Sequence, residues 1–193
     1  MTKSVLDTVQ RWLSDLPRGL RDHIHRVEEI SEELARAHQV GHDRVRLCAQ
    51  AHDLCRAMKG DELLEKAREL GIPVHPVEER MPILLHGPVA AEMLRREGLD
   101  DDAVYQGVYY HSTACPGLDP VAKVVFLADK LDPHKAKRYP YLGELKVAAL
   151  ESLDSALLEF LTREITSFLE KGQLVHPASI EARNELLSSR PCS

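Results

Sequence analysis

The sequence predicts an all-α protein folded as a single globular helical bundle. Apolar residues recur at intervals of three and four along most of the 193-residue chain, which is the spacing of one helix face. No convincing run of alternating apolar and polar residues predicts a strand, and no internal repeat or low-complexity segment stands out. A chain of this length forms one domain around one core by default.

The first two predicted helices rest on that spacing and on a proline between them. Apolar residues recur over 5–16, and Pro17 breaks the pattern because proline cannot continue a helix. The second helix covers 20–34 and places His23 beside its apolar stripe. We therefore expect His23 to point toward the interior.

The third and fourth helices follow at once. Apolar residues over 45–58 predict a helix that carries the dipeptide His52-Asp53 near its C-terminal part. A short helix over 63–70 follows, and Gly71 ends it.

A loop separates these helices from the next one. Residues 74–81 are punctuated by histidines and prolines and predict a loop able to cover a site. The next helix begins between 81 and 86, so His86 lies at its start, and Gly98 stops it.

Two further helices end in polar residues. The pattern over 104–110 leads to His111, which is predicted at a helix-to-loop junction. Pro120 suits the first turn of a helix that runs to Asp129, because proline is preorganised for that position. Asp129 thus follows an apolar face into the interior.

The C-terminal part is predicted to add three helices, over 142–150, 153–169 and 178–187. Before them, residues 133–141 are the best candidate for a flexible or functional loop, with a local cluster of basic residues.

Charge and cysteine content exclude several classes of protein. The formal net charge of -6 argues against a broad nucleic-acid-binding face, although bound ions can hold a small phosphorylated substrate on an acidic protein. The four cysteines lack CxxC spacing, and no apolar stretch is long enough to span a bilayer. We therefore expect a cytoplasmic protein whose partner is a small molecule, with neither a nucleic-acid polymer nor a membrane as partner.

Six residues form a candidate metal site. Imidazole nitrogens and carboxylate oxygens hold first-row transition ions, and one carboxylate can bridge two of them. Taken singly, each residue has a structural alternative, a hydrogen-bonded core histidine or a helix cap. Together they favour a binuclear centre and a metallohydrolase. The six are His23, His52, Asp53, His86, His111 and Asp129.

The order of these segments resembles the HD-domain superfamily. The hallmark segments are HIHRV with His23, AHDLCRA with His52-Asp53, and FLADKLDP with Asp129. Two more segments, LHGPVAAEML with His86 and YYHSTACPGLDPVAKVVFLAD with His111, narrow the resemblance to the bacterial symmetrical bis(5'-nucleosyl)-tetraphosphatases of the YqeK type. The resemblance covers most of the chain.

This resemblance implies a fold, an activity and a cofactor. We expect one HD metallohydrolase domain over residues 1–193, with a metal-site core at about 18–135 and C-terminal helices at 141–188. The implied reaction is symmetrical cleavage of diadenosine tetraphosphate into two ADP by a metal-activated water. The implied cofactor is two divalent transition-metal ions, iron first, although such ligands also accept manganese, cobalt, nickel or zinc.

We expect the six ligands to divide between the two ions. In this hypothesis His23, His52 and Asp129 hold one ion, His86 and His111 hold the other, and Asp53 ties the two together.

Further residues are candidates for catalysis and substrate binding. We expect Asp53 and Arg56 to serve catalysis, with Arg56 one helical turn after His52 and able to reach a phosphate from the same face. The candidate substrate-binding residues are Arg56, Ser112, Thr113, Lys135 and Arg138. Cys115 stands where the resemblance implies an arginine, so either Lys135 or Arg138 compensates or the substrate preference and rate differ.

Two other functions stay open at this point. One is another HD-domain nucleotide phosphohydrolase or phosphodiesterase, since the pocket sets selectivity while the metal chemistry is shared. The other is a nucleotide-binding regulator that has lost turnover. The oligomeric state is also open, with a homodimer among the alternatives.

Overall fold

The structure is a computed structural model that describes residues 3–189. Within that range it contains eleven α-helices and no strand. The helices are α1 (Lys3–Asp15), α2 (Arg18–His38), α3 (His42–Ala51), α4 (Gly60–Leu70), α5 (Pro76–Arg80), α6 (His86–Arg96), α7 (Asp102–Tyr110), α8 (Pro120–Lys130), α9 (Leu142–Glu151), α10 (Leu153–Glu170) and α11 (Pro177–Ser188). Two short 3-10 helices lie at Pro82–Leu85 and Pro133–Lys135.

Helix α8 is the central element of the bundle. It begins at Pro120, and the side chain of Asp119 caps it by accepting a hydrogen bond from the Val121 amide at 2.8 Å. The apolar residues that follow are buried on every side, because α2, α3, α7 and α10 all pack against this helix. Asp129 stands at the end of this apolar run and is thereby carried into the interior.

The other helices pack around α8 in sequence order. Helix α2 lies against α3 and α8, α6 lies against α7, and α9 and α11 both pack against α10. The buried apolar residues form one contiguous cluster that includes residues from α1 to α11. The predicted all-α fold with one helical bundle is confirmed.

A close approach between α7 and its neighbours depends on Gly107. A Cβ atom at this position would overlap the sulfur of Cys48 on α3 and lie 3.3 Å from Cα of Ala122 on α8. Glycine is therefore needed where these three helices meet.

The prediction of one helix over 45–58 was wrong in its second half. Helix α3 ends at Ala51, and His52 is its C-cap residue. The chain then turns through i to i+3 hydrogen bonds, such as Arg56 N–H to Asp53 O at 3.0 Å. In a continuing helix adjacent side chains would diverge by about 100°. His52 itself keeps helical backbone angles, with φ -56° and ψ -38°, so the change of direction comes after it.

The prediction of a loop over 74–81 was also wrong in part, because this segment contains α5. His75 caps the helix through Nδ1, which accepts from the Val77 amide at 3.1 Å, and the Glu78 carboxylate accepts from the His75 amide at 2.8 Å. Pro76 occupies the first helical position. A histidine cap is uncommon, so the usual search for Ser, Thr, Asp or Asn misses it.

Among the helices of residues 3–189, none combines the length and the apolar character needed to cross a membrane.

Candidate metal centre

The fold brings all six predicted metal-binding residues together, five of them at or near the ends of helices and His23 in the second turn of α2. His23 comes from α2, His52 and Asp53 from the turn after α3, His86 from the first position of α6, His111 from the C-cap of α7 and Asp129 from α8. Five of the six are buried, and the side chain of His23 is 13% exposed. The side-chain nitrogen and oxygen atoms of these residues form two groups, and the carboxylate of Asp53 lies between them.

The first group, which we call the His86 group, consists of Asp53, His86 and His111. The Oδ1 atom of Asp53 lies 2.9 Å from Nε2 of His86 and 3.5 Å from Nε2 of His111. The two Nε2 atoms lie 2.8 Å from each other.

The second group, which we call the His23 group, consists of His23, His52 and Asp129. Oδ1 of Asp129 lies 3.1 Å from Nε2 of His23 and 3.8 Å from Nε2 of His52. The second oxygen of Asp53, Oδ2, lies 3.6 Å from each of these two nitrogens. Asp53 therefore presents one carboxylate oxygen to each group.

Hydrogen bonds at Nδ1 orient all four imidazoles. Nδ1 of His52 donates to Ala49 O at 2.7 Å, Nδ1 of His111 donates to Val108 O at 2.8 Å, and Nδ1 of His86 contacts Ile83 O. Nδ1 of His23 lies 2.5 Å from the carboxylate of Asp132. Since these oxygens can only accept, each Nδ1 carries a proton, and Nε2 is the ring nitrogen that faces the centre and is left to bind an ion when the ring is neutral.

This arrangement of lone pairs fits a divalent metal ion. In the His86 group three acceptor atoms face one another, and burial lowers the pKa of His111 to about 3, so its ring stays neutral. Nε2 of His52 is buried and has no hydrogen-bond partner among the described residues. Ligand atoms held about 2.0–2.2 Å from one ion lie about 3–3.5 Å apart, close to the separations found here. Both groups are thus compatible with divalent metal binding.

The charges around the site keep both carboxylates ionised. Burial by itself would raise the pKa of Asp53, but the surrounding histidines, His52 first, hold it well below its usual range. Burial likewise opposes ionisation of Asp129, and the ammonium groups of Lys130 and Lys135 outweigh it, so the pKa of Asp129 is also lowered. Anionic oxygens in a buried site favour cation binding.

The sequence interpretation missed Asp132, although it lies within the FLADKLDP segment. Its carboxylate holds Nδ1 of His23 and accepts two hydrogen bonds from the guanidinium of Arg26, each 2.9 Å long. It also caps the following 3-10 turn by accepting from the His134 amide at 3.0 Å. An aspartate before proline suggests only a turn, so the sequence gives no signal for this orienting role.

The sequence interpretation also missed Lys130, because a lysine after an apolar run is usually at the surface. Here it is buried, and Nζ donates to Oδ2 of Asp129 at 2.7 Å and to the main-chain oxygen of His111 at 3.0 Å. Lys130 therefore joins a member of the His23 group to a member of the His86 group.

The two groups open into a cavity of 830 Å³, and every predicted substrate-binding residue lines it. The ammonium of Lys135 contacts Oδ1 of Asp129, and the guanidinium of Arg138 contacts Glu164 at 2.6 Å. Oγ of Ser112 lies 3.2 Å from Nε2 of His111. Cys115, in contrast, does not line the cavity.

Arg56 reaches the cavity by a different route from the one expected. The prediction placed it on the same helix face as His52, but α3 has ended by then and Arg56 belongs to the turn that follows Asp53. Its side chain is exposed and lines the cavity beside the His86 group.

The C-terminal helix holds the loop that carries Ser112 and Thr113. Oγ of Ser179 on α11 donates to Thr113 O at 2.6 Å, and the Glu185 carboxylate accepts from the Gly117 amide at 2.7 Å. The loop is therefore held by residues about 70 positions further along the chain.

Comparisons with known proteins agree with this geometry. The HD domain family matches residues 20–134. The chain is 28% identical over 170 residues to a protein of Halalkalibacterium halodurans named "Bis(5'-nucleosyl)-tetraphosphatase, symmetrical", covering 86% of this chain and 87% of the relative. A Bacillus subtilis protein of the same name is 27% identical over 181 residues, covering 91% and 96% of the two chains.

A solved structure resembles the whole fold. It is the crystal structure of a predicted HD superfamily hydrolase involved in NAD metabolism from Clostridium acetobutylicum. The two chains are 26% identical and superimpose with a TM-score of 0.88, covering 96% of this chain and 98% of that one.

Proposed function

The chain belongs to the HD-domain family, and from that premise we propose that it is a metal-dependent hydrolase that cleaves diadenosine tetraphosphate symmetrically into two ADP. The names of the relatives, symmetrical bis(5'-nucleosyl)-tetraphosphatases, support this substrate and this position of cleavage.

One observation carries the proposal: the two oxygens of Asp53 face two different groups of ligand atoms. A carboxylate in that position can bridge two ions, whereas each imidazole has one free nitrogen and serves one ion. We therefore propose two divalent ions, one in the His23 group and one in the His86 group, with Asp53 between them.

The chemistry of the reaction divides between the ions and the chain. Divalent ions, when bound, supply Lewis-acid polarisation of phosphoryl oxygens and lower the pKa of water. Lys130 keeps Asp129 ionised, and the carbonyl oxygens bonded to Nδ1 hold the histidine lone pairs in place. Water adds across the central P–O–P linkage, so each half leaves as ADP.

The remaining cavity residues position the polyphosphate. Arg56 and Lys135 supply positive charge near the two groups, and the hydroxyl groups of Ser112 and Thr113 supply hydrogen-bond donors. Such donors stabilise the charge that builds up on the phosphoryl oxygens as the linkage breaks.

Product analysis tests the substrate and the position of cleavage. Protein of verified metal content, given diadenosine tetraphosphate, is expected to release ADP as the only nucleotide. Release of ATP and AMP would refute symmetrical cleavage. Loss of a different nucleotide with no attack on diadenosine tetraphosphate would point instead to another HD-domain phosphohydrolase, and tight binding without product would point to a regulator.

Substitution of Asp53 tests the bridging role. Asp53→Ala is expected to lose both metal retention and hydrolysis, because one side chain serves both groups. Asp100→Ala, which removes an exposed aspartate outside the site, is the matched control and should keep both. Normal metal content and turnover in Asp53→Ala would rule out this role.

Three further properties belong to the same proposal. Iron is proposed as the resident metal on the family resemblance. A cytoplasmic location is supported by the free thiols of Cys48, Cys55 and Cys115. A homodimer stays a prediction, which sedimentation of the purified protein would test.

A further inference from the structure

The cavity extends beyond the two ligand groups along one face of α10. Leu161, Ile165 and Phe168 line it from this helix, and their spacing of four and three places them on a single face. Leu174, from the segment between α10 and α11, lines the same end. We call these four residues the α10 wall.

The outer part of the α10 wall is only partly buried. Leu161 is buried, but Ile165 and Phe168 are half-buried and Leu174 is 43% exposed. Phe168 and Leu174 therefore offer apolar surface to the cavity outside the core cluster, next to Ile165, which packs against that cluster and is only partly buried. Apolar surface of this kind gains free energy when a flat apolar group covers it.

The charges in the cavity divide it into two ends. Arg56 and Lys135 both line the cavity, and the ammonium of Lys135 contacts Asp129 of the His23 group. The guanidinium of Arg138 is bound to Glu164, which also accepts from the Tyr139 hydroxyl at 3.4 Å. Glu164 is one helical turn from Phe168 on α10. Its carboxylate, which is paired with Arg138, therefore lies beside the wall. The Glu164 carboxylate makes the surface beside the wall less favourable for a phosphate chain than the surroundings of Lys135.

We propose that the α10 wall binds the nucleobase of one half of the substrate, with the base stacked on Phe168. This proposal rests on the proposed function for the nature of the substrate. The cavity is continuous, so a nucleoside diphosphate can place its phosphates at the ligand groups and its base against α10. Apolar stacking accepts any base, because every base has a π face.

Besides Arg138, which is bound to Glu164, Lys171 at the end of α10 also brings a positive charge to this side of the cavity. It lines the cavity mouth, but it is exposed and its Nζ donates to Oγ of Ser167 at 2.8 Å. An exposed ammonium at the mouth is screened by solvent and does not convert the apolar wall into a phosphate site.

Calorimetric titration with ADP and with inorganic pyrophosphate tests the proposal on protein of verified metal content. Pyrophosphate carries the phosphates without the base. Phe168→Ala is expected to weaken ADP binding about tenfold, the usual scale of a lost base–aromatic stack, and to leave pyrophosphate binding unchanged. Phe168→Leu keeps apolar area but lacks the ring, so its ADP affinity should lie between that of the unmodified protein and that of Phe168→Ala.

Leu169→Ala is the matched control. Leu169 neighbours Phe168 on α10, is 67% exposed and does not line the cavity, so its loss should change neither affinity. Equal ADP affinity in Phe168→Ala and the unmodified protein would overturn the proposal. So would an equal loss for both ligands, or unmodified protein that binds ADP no more tightly than pyrophosphate.

The same titration keeps the two proposals separable. If diadenosine tetraphosphate is not hydrolysed, the proposed function fails, yet a ring-dependent difference between ADP and pyrophosphate would still support a base site on α10. If hydrolysis occurs and that difference is missing, the base site fails alone.

Discussion

Gly87 should determine whether the His86 group can form, and Gly87→Ala is the sharpest test of the site's geometry. An added Cβ would lie 2.7 Å from Val108 O, 2.8 Å from Tyr109 O and 3.0 Å from Cε1 of His111. Two of these atoms are backbone oxygens at the end of α7, which cannot rotate away. The start of α6 must therefore move away from α7 by several tenths of an ångström.

The expected magnitude follows from two opposing effects. Overpacking of this kind costs about 1–3 kcal/mol of unfolding free energy, while replacing a helical glycine by alanine gains about 1 kcal/mol. A net loss of up to about 2 kcal/mol of unfolding free energy remains. The effect on metal binding is larger, because a shift of several tenths of an ångström between His86 and His111 exceeds the roughly 0.2 Å tolerance of metal–ligand distances.

Two measurements check this prediction. Urea unfolding of metal-free protein gives the free energy, and metal analysis after gel filtration gives the retained ions. Gly143→Ala is the control, since Gly143 also lies in a helix but a Cβ there meets nothing within 4 Å, so it should be neutral or stabilising. A Gly87→Ala protein with unchanged metal content and an unchanged urea midpoint would refute the reasoning.

Two further predictions concern carboxylates outside the ligand set. Asp132→Ala should weaken metal binding by roughly 10- to 100-fold, since His23 loses its orienting acceptor, while Asp132→Asn keeps an acceptor and should lose less; identical metal titrations for all three proteins would contradict this. Glu78→Gln should destabilise the fold only above acidic pH. The pKa of Glu78 is lowered, because the nearby imidazole of His176, with Nε2 3.7 Å from the carboxylate, and the hydrogen bond from the His75 amide together outweigh burial. Its carboxylate thus stabilises the folded state above the unfolded pKa and loses this effect as the pH falls through the folded value. Urea midpoints that stay equally far apart down to acid pH would argue against it.

Helical periodicity predicted most of the fold because apolar residues recur at intervals of three and four along most of the chain. The patterns over 20–34, 142–150 and 153–169 correspond to α2, α9 and α10 with small shifts at the ends. Periodicity failed after Ala51, where apolar residues continue at helical spacing but the chain turns. There the tertiary position of Asp53 overrides local propensity, and single-sequence patterns do not report it.

The six candidate metal-binding residues could be proposed from the sequence because together they match the ordered segments of the HD-domain superfamily, although each alone has a structural alternative. Their division between two ions was a hypothesis based on the two carboxylate oxygens of Asp53. It remains a hypothesis, which the distances in the structure support. The residues that act on the ligands, Asp132 and Lys130, could not be proposed. Their roles depend on contacts across 109 and 19 residues, which no local pattern encodes.

The placement of His23 and Asp129 in one group has a consequence for the stability of the fold. The two residues are 106 positions apart, so an ion bound by both would close a loop of most of the domain, much as a disulfide does. Closing a loop of that length removes several kcal/mol of chain entropy from the unfolded state, roughly 4–5 kcal/mol on the scale of a long disulfide loop. The metal would then cross-link the N-terminal and C-terminal halves of the chain in addition to its role in catalysis. Resistance to unfolding would consequently vary with the supply of free metal.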